Sequence, residues 1–251
     1  MSNRFGSATS PRGRRLVSGL GALALPVLVA TGCSIVHKAA TAVHAVEGNR
    51  ATIDGFTSSL SSQPSSFEVR YATTGSSPGV VVYAAQSPDE VAFTLTPSGS
   101  ATPSLDVVVN PSGEYACEPP GQGSPPTACQ KLASADKASE AQVYGLYTPA
   151  HWVAFLRGLA LAAGLAGDKV SRSSMSVNGF ALSCVDLVAS GVPGTSVICS
   201  TSFGLLGYVK VASDPTSFEI TSYSSSPGAS LFALPPGATV STSPATTAPT
   251  G

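Results

Sequence analysis

Three arrangements in this chain carry side chains with intrinsic reactivity: a serine in a glycine frame, a histidine beside a tryptophan, and four cysteines in the body of the sequence. Gly75-Ser76-Ser77-Pro78-Gly79 matches the string G-x-S-x-G. As a nucleophile elbow it would need a strand before the serine, a helix after it and a histidine within reach. Strand-like alternation lies on both sides and Pro78 sits inside the string, so a hairpin turn accounts for it. His37 and His44 closely follow Cys33, which leaves His151 as the base available to the folded body. It falls in the first turn of an apolar helix beside Trp152, a rim position. The carboxylates Asp89, Glu90, Asp106, Glu114 and Glu118 fall at turns or on outward strand positions. They show neither the spacing of an acid/base pair nor a calcium-loop string, and read as solvated. No catalytic residue, metal ligand or cofactor site is assigned, and the expectation is a protein without enzymatic activity.

Cys117, Cys129, Cys184 and Cys199 read as two disulfides if the chain is exported. Zinc would need C-x-x-C or histidine neighbours, and neither is present. Of the three connectivities, Cys117–Cys129 and Cys184–Cys199 are the most economical. The first closes the loop EPPGQGSPPTA, which has no other means of ordering itself, and the second staples neighbouring strands. Each bond would stabilise by about 3 kcal/mol through restriction of the unfolded chain.

Export is written in the first 33 residues. Arg4, Arg12, Arg14 and Arg15 precede any acidic residue, Leu16–Val29 is apolar, and Ala30-Thr31-Gly32-Cys33 follows. A basic, then apolar, then small-residue segment is a secretory signal. Its ending on cysteine resembles a bacterial lipobox, with Ala30 where that motif usually has leucine. The resemblance implies lipidation (palmitate among the acyl groups) of Cys33 as the first residue of the mature chain. A membrane-spanning anchor would need about 20 apolar residues, and this run is shorter and carries Pro26. Arg14-Arg15 fits a twin-arginine signal poorly, although the choice of export route stays open. Removing residues 1–32 leaves 219 residues, with nine basic side chains against 14 acidic ones and a formal charge of −5. That balance argues against nucleic acid as a partner.

The elements follow from periodicity. Residues 50–61 read as an amphipathic helix closed by Pro64. Phe67, Val69 and Tyr71 alternate with Glu68 and Arg70, the mark of a half-buried strand. Further strands are expected at Gly79–Gln86, over Val91–Leu95 and Leu105–Val109, and from Tyr115, giving an antiparallel meander. A short helix is expected over Lys137–Leu146. Thr148-Pro149 then opens a second helix running to Ala166, with Trp152, Phe155, Leu156, Leu159 and Ala163 on one stripe. So apolar a helix should be buried on more than one side. Strands resume near Ser174–Asn178, Ala181–Val188, Ser196–Thr201, Leu205–Ala212 and Ser217–Tyr223. The composition after Pro235 is that of an unstructured tail. The domain plan is therefore a signal over residues 1–32, a lipidated tether over 33–49, one domain over 50–236 and a tail over 237–251.

This order of elements resembles the LolA/LolB-like lipoprotein architecture, including the actinobacterial LprG/LppX group. The resemblance rests on ATIDGFTSSLSSQPSSFEVRY, on the hairpin VVVYAAQSPDEVAFTL and on the closing FALPPG. It implies an α+β fold: a curved antiparallel half-barrel sheet covered by an apolar helix, here with two disulfides. It also implies a bacterial, actinobacterial lipoprotein at the extracytoplasmic face of the cell membrane. Two functions fit. In the first, a lipid or glycolipid occupies a cavity lined by Val69, Tyr71, Val91, Phe93, Trp152, Phe155, Leu156 and Leu159. In the second, the core is filled and the lipoprotein acts through protein contacts.

Overall fold

The computed structural model describes residues 48–75, 78–86, 89–118, 128–133, 144–166 and 169–242, without the side chains of residues 159–166. The signal, Cys33, Ser76, Ser77 and most of the Lys137–Leu146 stretch lie outside these residues. A helix α1 over residues 48–60 opens the fold. Six strands follow: β1 Ser66–Thr74, β2 Gly79–Gln86, β3 Glu90–Pro97, β4 Leu105–Asn110, β5 Gly113–Glu118 and β6 Ala128–Lys131. Helix α2 (Pro149–Ala166) leads to β7 Lys169–Val177, β8 Phe180–Val188, β9 Ser196–Thr201, β10 Leu206–Lys210 and β11 Ser217–Ser224. A 3-10 turn, Ala229–Phe232, and β12 Thr239–Thr242 end the described chain.

All twelve strands form one sheet in the order β12-β6-β5-β4-β3-β2-β1-β11-β10-β9-β8-β7. Its pairings are antiparallel except for β12 on β6, which is parallel. The sheet is therefore mixed, and it does not close. One edge is β7, whose Lys169, Arg172 and serines are exposed; charged and polar edges discourage stray strand pairing.

The sheet curls. β7 and β11 stand four strand spacings apart, about 19 Å if the sheet were flat. Their Cα atoms nonetheless approach within 8 Å. The fold-over is secured at the β7–β8 hairpin, where Asn178 (φ 50°) and Gly179 (φ 85°) make the turn. Asn178 Nδ2 donates to Ile220 O of β11 at 2.8 Å.

Alternation along β1 decides which face is interior. Phe67, Val69 and Tyr71 are buried, whereas Arg70 is exposed. On that inner face they join Tyr83, Phe93, Val107, Ile198 and Ile220 in one apolar cluster. Ile53, Phe56 and Leu60 of α1, at helical spacing, are buried in the same cluster, as are Trp152 and Leu156 of α2. α1 ends at residue 60, short of Pro64. Ser58, Ser59, Ser61 and Ser62 turn their hydroxyls back onto carbonyls of its last turns, and those of Ser61 and Ser62 reach Thr57 O and Ser59 O among the last four carbonyls. Gly204 (φ +80°) packs against that helix end. A Cβ there would lie 2.7 Å from the Ser62 carbonyl carbon, so the turn between β9 and β10 requires glycine.

On the outer face, Phe232 lies with Ala84 and Ala92, and Leu234 and Ala238 lie against Tyr115, Cys117 and Cys129. The segment running from the 3-10 turn to β12 thus straps the outer face. Residues 239–242, assigned from composition to an unstructured tail, form a strand because β6 offers them an edge. The disulfides Cys117–Cys129 and Cys184–Cys199 join residues directly opposite one another on β5/β6 and β8/β9.

The expectation that α2 is buried on more than one side does not hold for its described half. Trp152 and Leu156 are buried, while His151, Ala154, Phe155, Arg157 and Gly158 are exposed. At 100° per residue, positions 152 and 156 lie 40° apart and 155 falls on the flank. Mean apolarity did not reveal this, because alanine and glycine raise it without requiring burial.

Candidate ligand-binding cleft

Of the eight residues assigned to a ligand cavity, the structure brings five together. Val69, Tyr71, Phe93, Trp152 and Leu156 are buried within the inner cluster, and Val91 is half-buried against it. Phe155 is 41% exposed with its ring edge-on to Trp152, and the side chain of Leu159 is outside the described residues. The inner cluster is closely packed around aromatic rings. Half-buried Tyr147 packs against it, with ring centroids 4.9 Å from Phe218, 5.4 Å from Phe93 and 5.9 Å from Tyr71. Tyr71 donates its hydroxyl to Leu206 O at 3.2 Å, and burial pushes its phenol far up. Burial likewise raises Tyr83 and Tyr147, against a hydrogen bond with Gln63 that lowers Tyr83. These phenols stay neutral at physiological pH and serve packing.

Sequence reasoning missed Tyr144 and Tyr147. They flank Gly145-Leu146 at the end of the stretch read as a short helix, and their i, i+3 spacing was the available signal. The indole of Trp152 fixes this segment by donating to Leu146 O at 2.6 Å.

An open space remains where α2 meets the ends of β7 to β10. This cleft, of about 160 Å³, is lined chiefly by Phe155, Val170, Leu187, Val188, Val192 and Ile198. Three of its walls are also among the exposed large apolar residues: Phe155 at 41%, Val188 at 43% and Val192 at 39%. An apolar cavity of about 150 Å³ stays dry and accepts a benzene-sized guest. The cleft therefore has room for one apolar group and is too small for a whole diacyl lipid. Apart from Phe155, sequence reasoning did not single out these residues. The signal was Val192, an apolar side chain inside the Gly-Pro-bearing turn Gly191-Val192-Pro193-Gly194.

Among the described residues, the remaining sequence candidates do not assemble into a reactive group. Gly75 (φ +91°) sits in the turn between β1 and β2, whereas Ser76 and Ser77 lie outside the described residues. His151 is exposed with its ring edge-on to Trp152. Two carboxylates depart from the solvated reading. Glu114 is buried, and Asp106 is half-buried with Thr94 Oγ1 donating to it at 3.2 Å. Burial raises Asp106, and that hydrogen bond works against the rise. β6, which periodicity did not indicate, makes β5 an interior strand and explains the burial of Glu114. Among the described residues no three His, Cys, Asp or Glu gather into a metal-holding group. No described helix is long and apolar enough to cross a membrane.

No protein-family model matches this chain, and no curated protein matches it. Among solved structures, it is similar to MucB, with a TM-score of 0.44 and 14% identity over 74% of this chain and 64% of that one. It is also similar to MucB in complex with MucA(peri), with a TM-score of 0.42 and 12% identity over 73% of this chain and 60% of that one. The chain thus spans less than two thirds of the MucB chains it matches. LprF from Mycobacterium bovis is matched at a TM-score of 0.36 and 12% identity, over 77% of this chain and 98% of that chain.

Proposed function

We propose that this chain is a non-enzymatic, extracytoplasmic lipoprotein, tethered to the membrane through Cys33, that binds the apolar part of a lipid or glycolipid. The observation that carries this reading is the cleft under Phe155, with apolar walls that reach solvent at Val188 and Val192. Exposed apolar side chains around a concavity mark a binding site more often than chance exposure does. The order helix, meander, helix, strands is also the one that the LolA/LolB-like resemblance implies.

The test is native mass spectrometry of the purified full chain, followed by titration of the delipidated protein with N-phenyl-1-naphthylamine. A co-purified amphiphile and saturable fluorescence, weakened at least tenfold by Val192→Asp, are expected. A clean apoprotein mass with no probe uptake would overturn the reading. The second reading, action through protein contacts, is favoured by the closely packed cluster around Tyr71, Phe93 and Leu156. It takes over if the probe does not bind.

A further inference from the structure

The rim of the cleft has a chemical bias that its apolar floor does not explain. Of the twelve described residues lining it, Lys169 is the only charged one, and no carboxylate is among those twelve. Ser196 lines it as well, with Oγ accepting from Ala212 N–H at 2.9 Å. That bond occupies a lone pair and leaves the hydroxyl proton to be donated elsewhere. Ser213 adds a second hydroxyl. Asp214 follows Ser213 in sequence but does not line the cleft. Its Oδ1 accepts from Thr216 N–H at 2.7 Å, and the hydrogen bonding from Thr216 lowers its carboxyl. The lining thus combines apolar walls for one hydrocarbon segment with one basic residue and two hydroxyl-bearing ones.

We infer that the cleft selects single-chain amphiphiles with an anionic, carboxylate-type headgroup: the chain occupies the space under Phe155 and the head meets Lys169 and Ser196. The inference rests on the proposed binding function and narrows its ligand class. Size excludes a second chain within the cleft. The sign of the lining charge excludes a cationic head, and a neutral head forgoes the ion pair.

The test compares dodecanoate, dodecanol and dodecyltrimethylammonium as competitors of N-phenyl-1-naphthylamine on the full chain below their critical micelle concentrations. Dodecanoate should compete best and the cationic amphiphile worst. The preference for dodecanoate over dodecanol should shrink at 0.5 M salt, because an exposed ion pair is screened. Lys169→Gln should lower that preference about three- to fivefold, the scale of an exposed ion pair. If all three compete alike, or if Lys169→Gln leaves the preference unmoved, the headgroup inference is overturned while the apolar cleft stands. If none competes and the probe itself does not bind, the binding function falls with it.

Discussion

Two adjacent residues on α2 separate packing from binding. Leu156 is fully buried in the inner cluster, whereas Phe155 is 41% exposed and walls the cleft. Leu156→Ala should therefore destabilise by about 2–5 kcal/mol, the cost of a buried leucine and the void it leaves. Phe155→Ala should change stability by less than about 1 kcal/mol yet weaken uptake of the naphthylamine probe. Chemical denaturation and probe titration on the same two variants check both. Asp106 supplies a pH prediction at the same scale. Burial raises its folded-state pKa above the unfolded value, so the folded chain holds that proton more tightly. Its stabilising contribution is complete below the unfolded pKa and is lost as pH rises through the folded one. At pH 7 the ionised, half-buried carboxylate is a liability. Asp106→Asn should thus be more stable than the parent at pH 7, with the gap closing as pH falls through the carboxylate range, as denaturation midpoints across that range will register.

At the scale of elements, what could be read from the sequence was whatever carries its own period. β1, with Phe67, Val69 and Tyr71 on one face, shows period two, and α1, with Ile53, Phe56 and Leu60, shows period near 3.6. β6 and β12 have four residues each, Ala-Cys-Gln-Lys and Thr-Val-Ser-Thr, too few to show alternation. Both exist through long-range partners: β6 through the Cys117–Cys129 bond and β5, β12 through the strap that leaves Phe232 on Ala84 and Ala92. The cleft was illegible for a related reason. Its walls come from the ends of four neighbouring strands and from α2, and no single stretch of sequence carries the pattern. The cysteines were legible because pairing follows loop economy, and each bond spans a register pair of neighbouring strands. Replacing Cys184 and Cys199 by alanine should lower stability by about 3 kcal/mol, as expected for a loop of some 15 residues. Non-reducing peptide maps should show two crosslinks, each within its own half of the chain. A crosslink between the halves would contradict the sheet order as well as the pairing.

For the molecule as a whole, the proposed function requires something that would hold it at a membrane. The described residues contain no helix able to span a bilayer. The chain after residue 32 carries a formal charge of −5, so no polybasic surface attracts it to anionic lipid. The cleft takes a single apolar segment, far less than stable insertion requires. The proposed anchor is Cys33, fifteen residues before α1, a distance that an extended chain spans with at most about 50 Å. A diacylated cysteine on such a tether would supply two chains, the number at which membrane anchoring becomes stable, and would let the cleft reach amphiphiles near the surface. Cys33→Ala should leave export intact and abolish retention, so that the protein leaves the membrane fraction on a carbonate wash and appears in the soluble extracytoplasmic fraction. The wash decides between two anchors, because it strips a protein held by weak surface contacts but not one held by an inserted segment. Persistence of the variant in washed membranes would mean that residues 16–29 stay in the bilayer as an uncleaved anchor, and the lipidated tether would have to be abandoned.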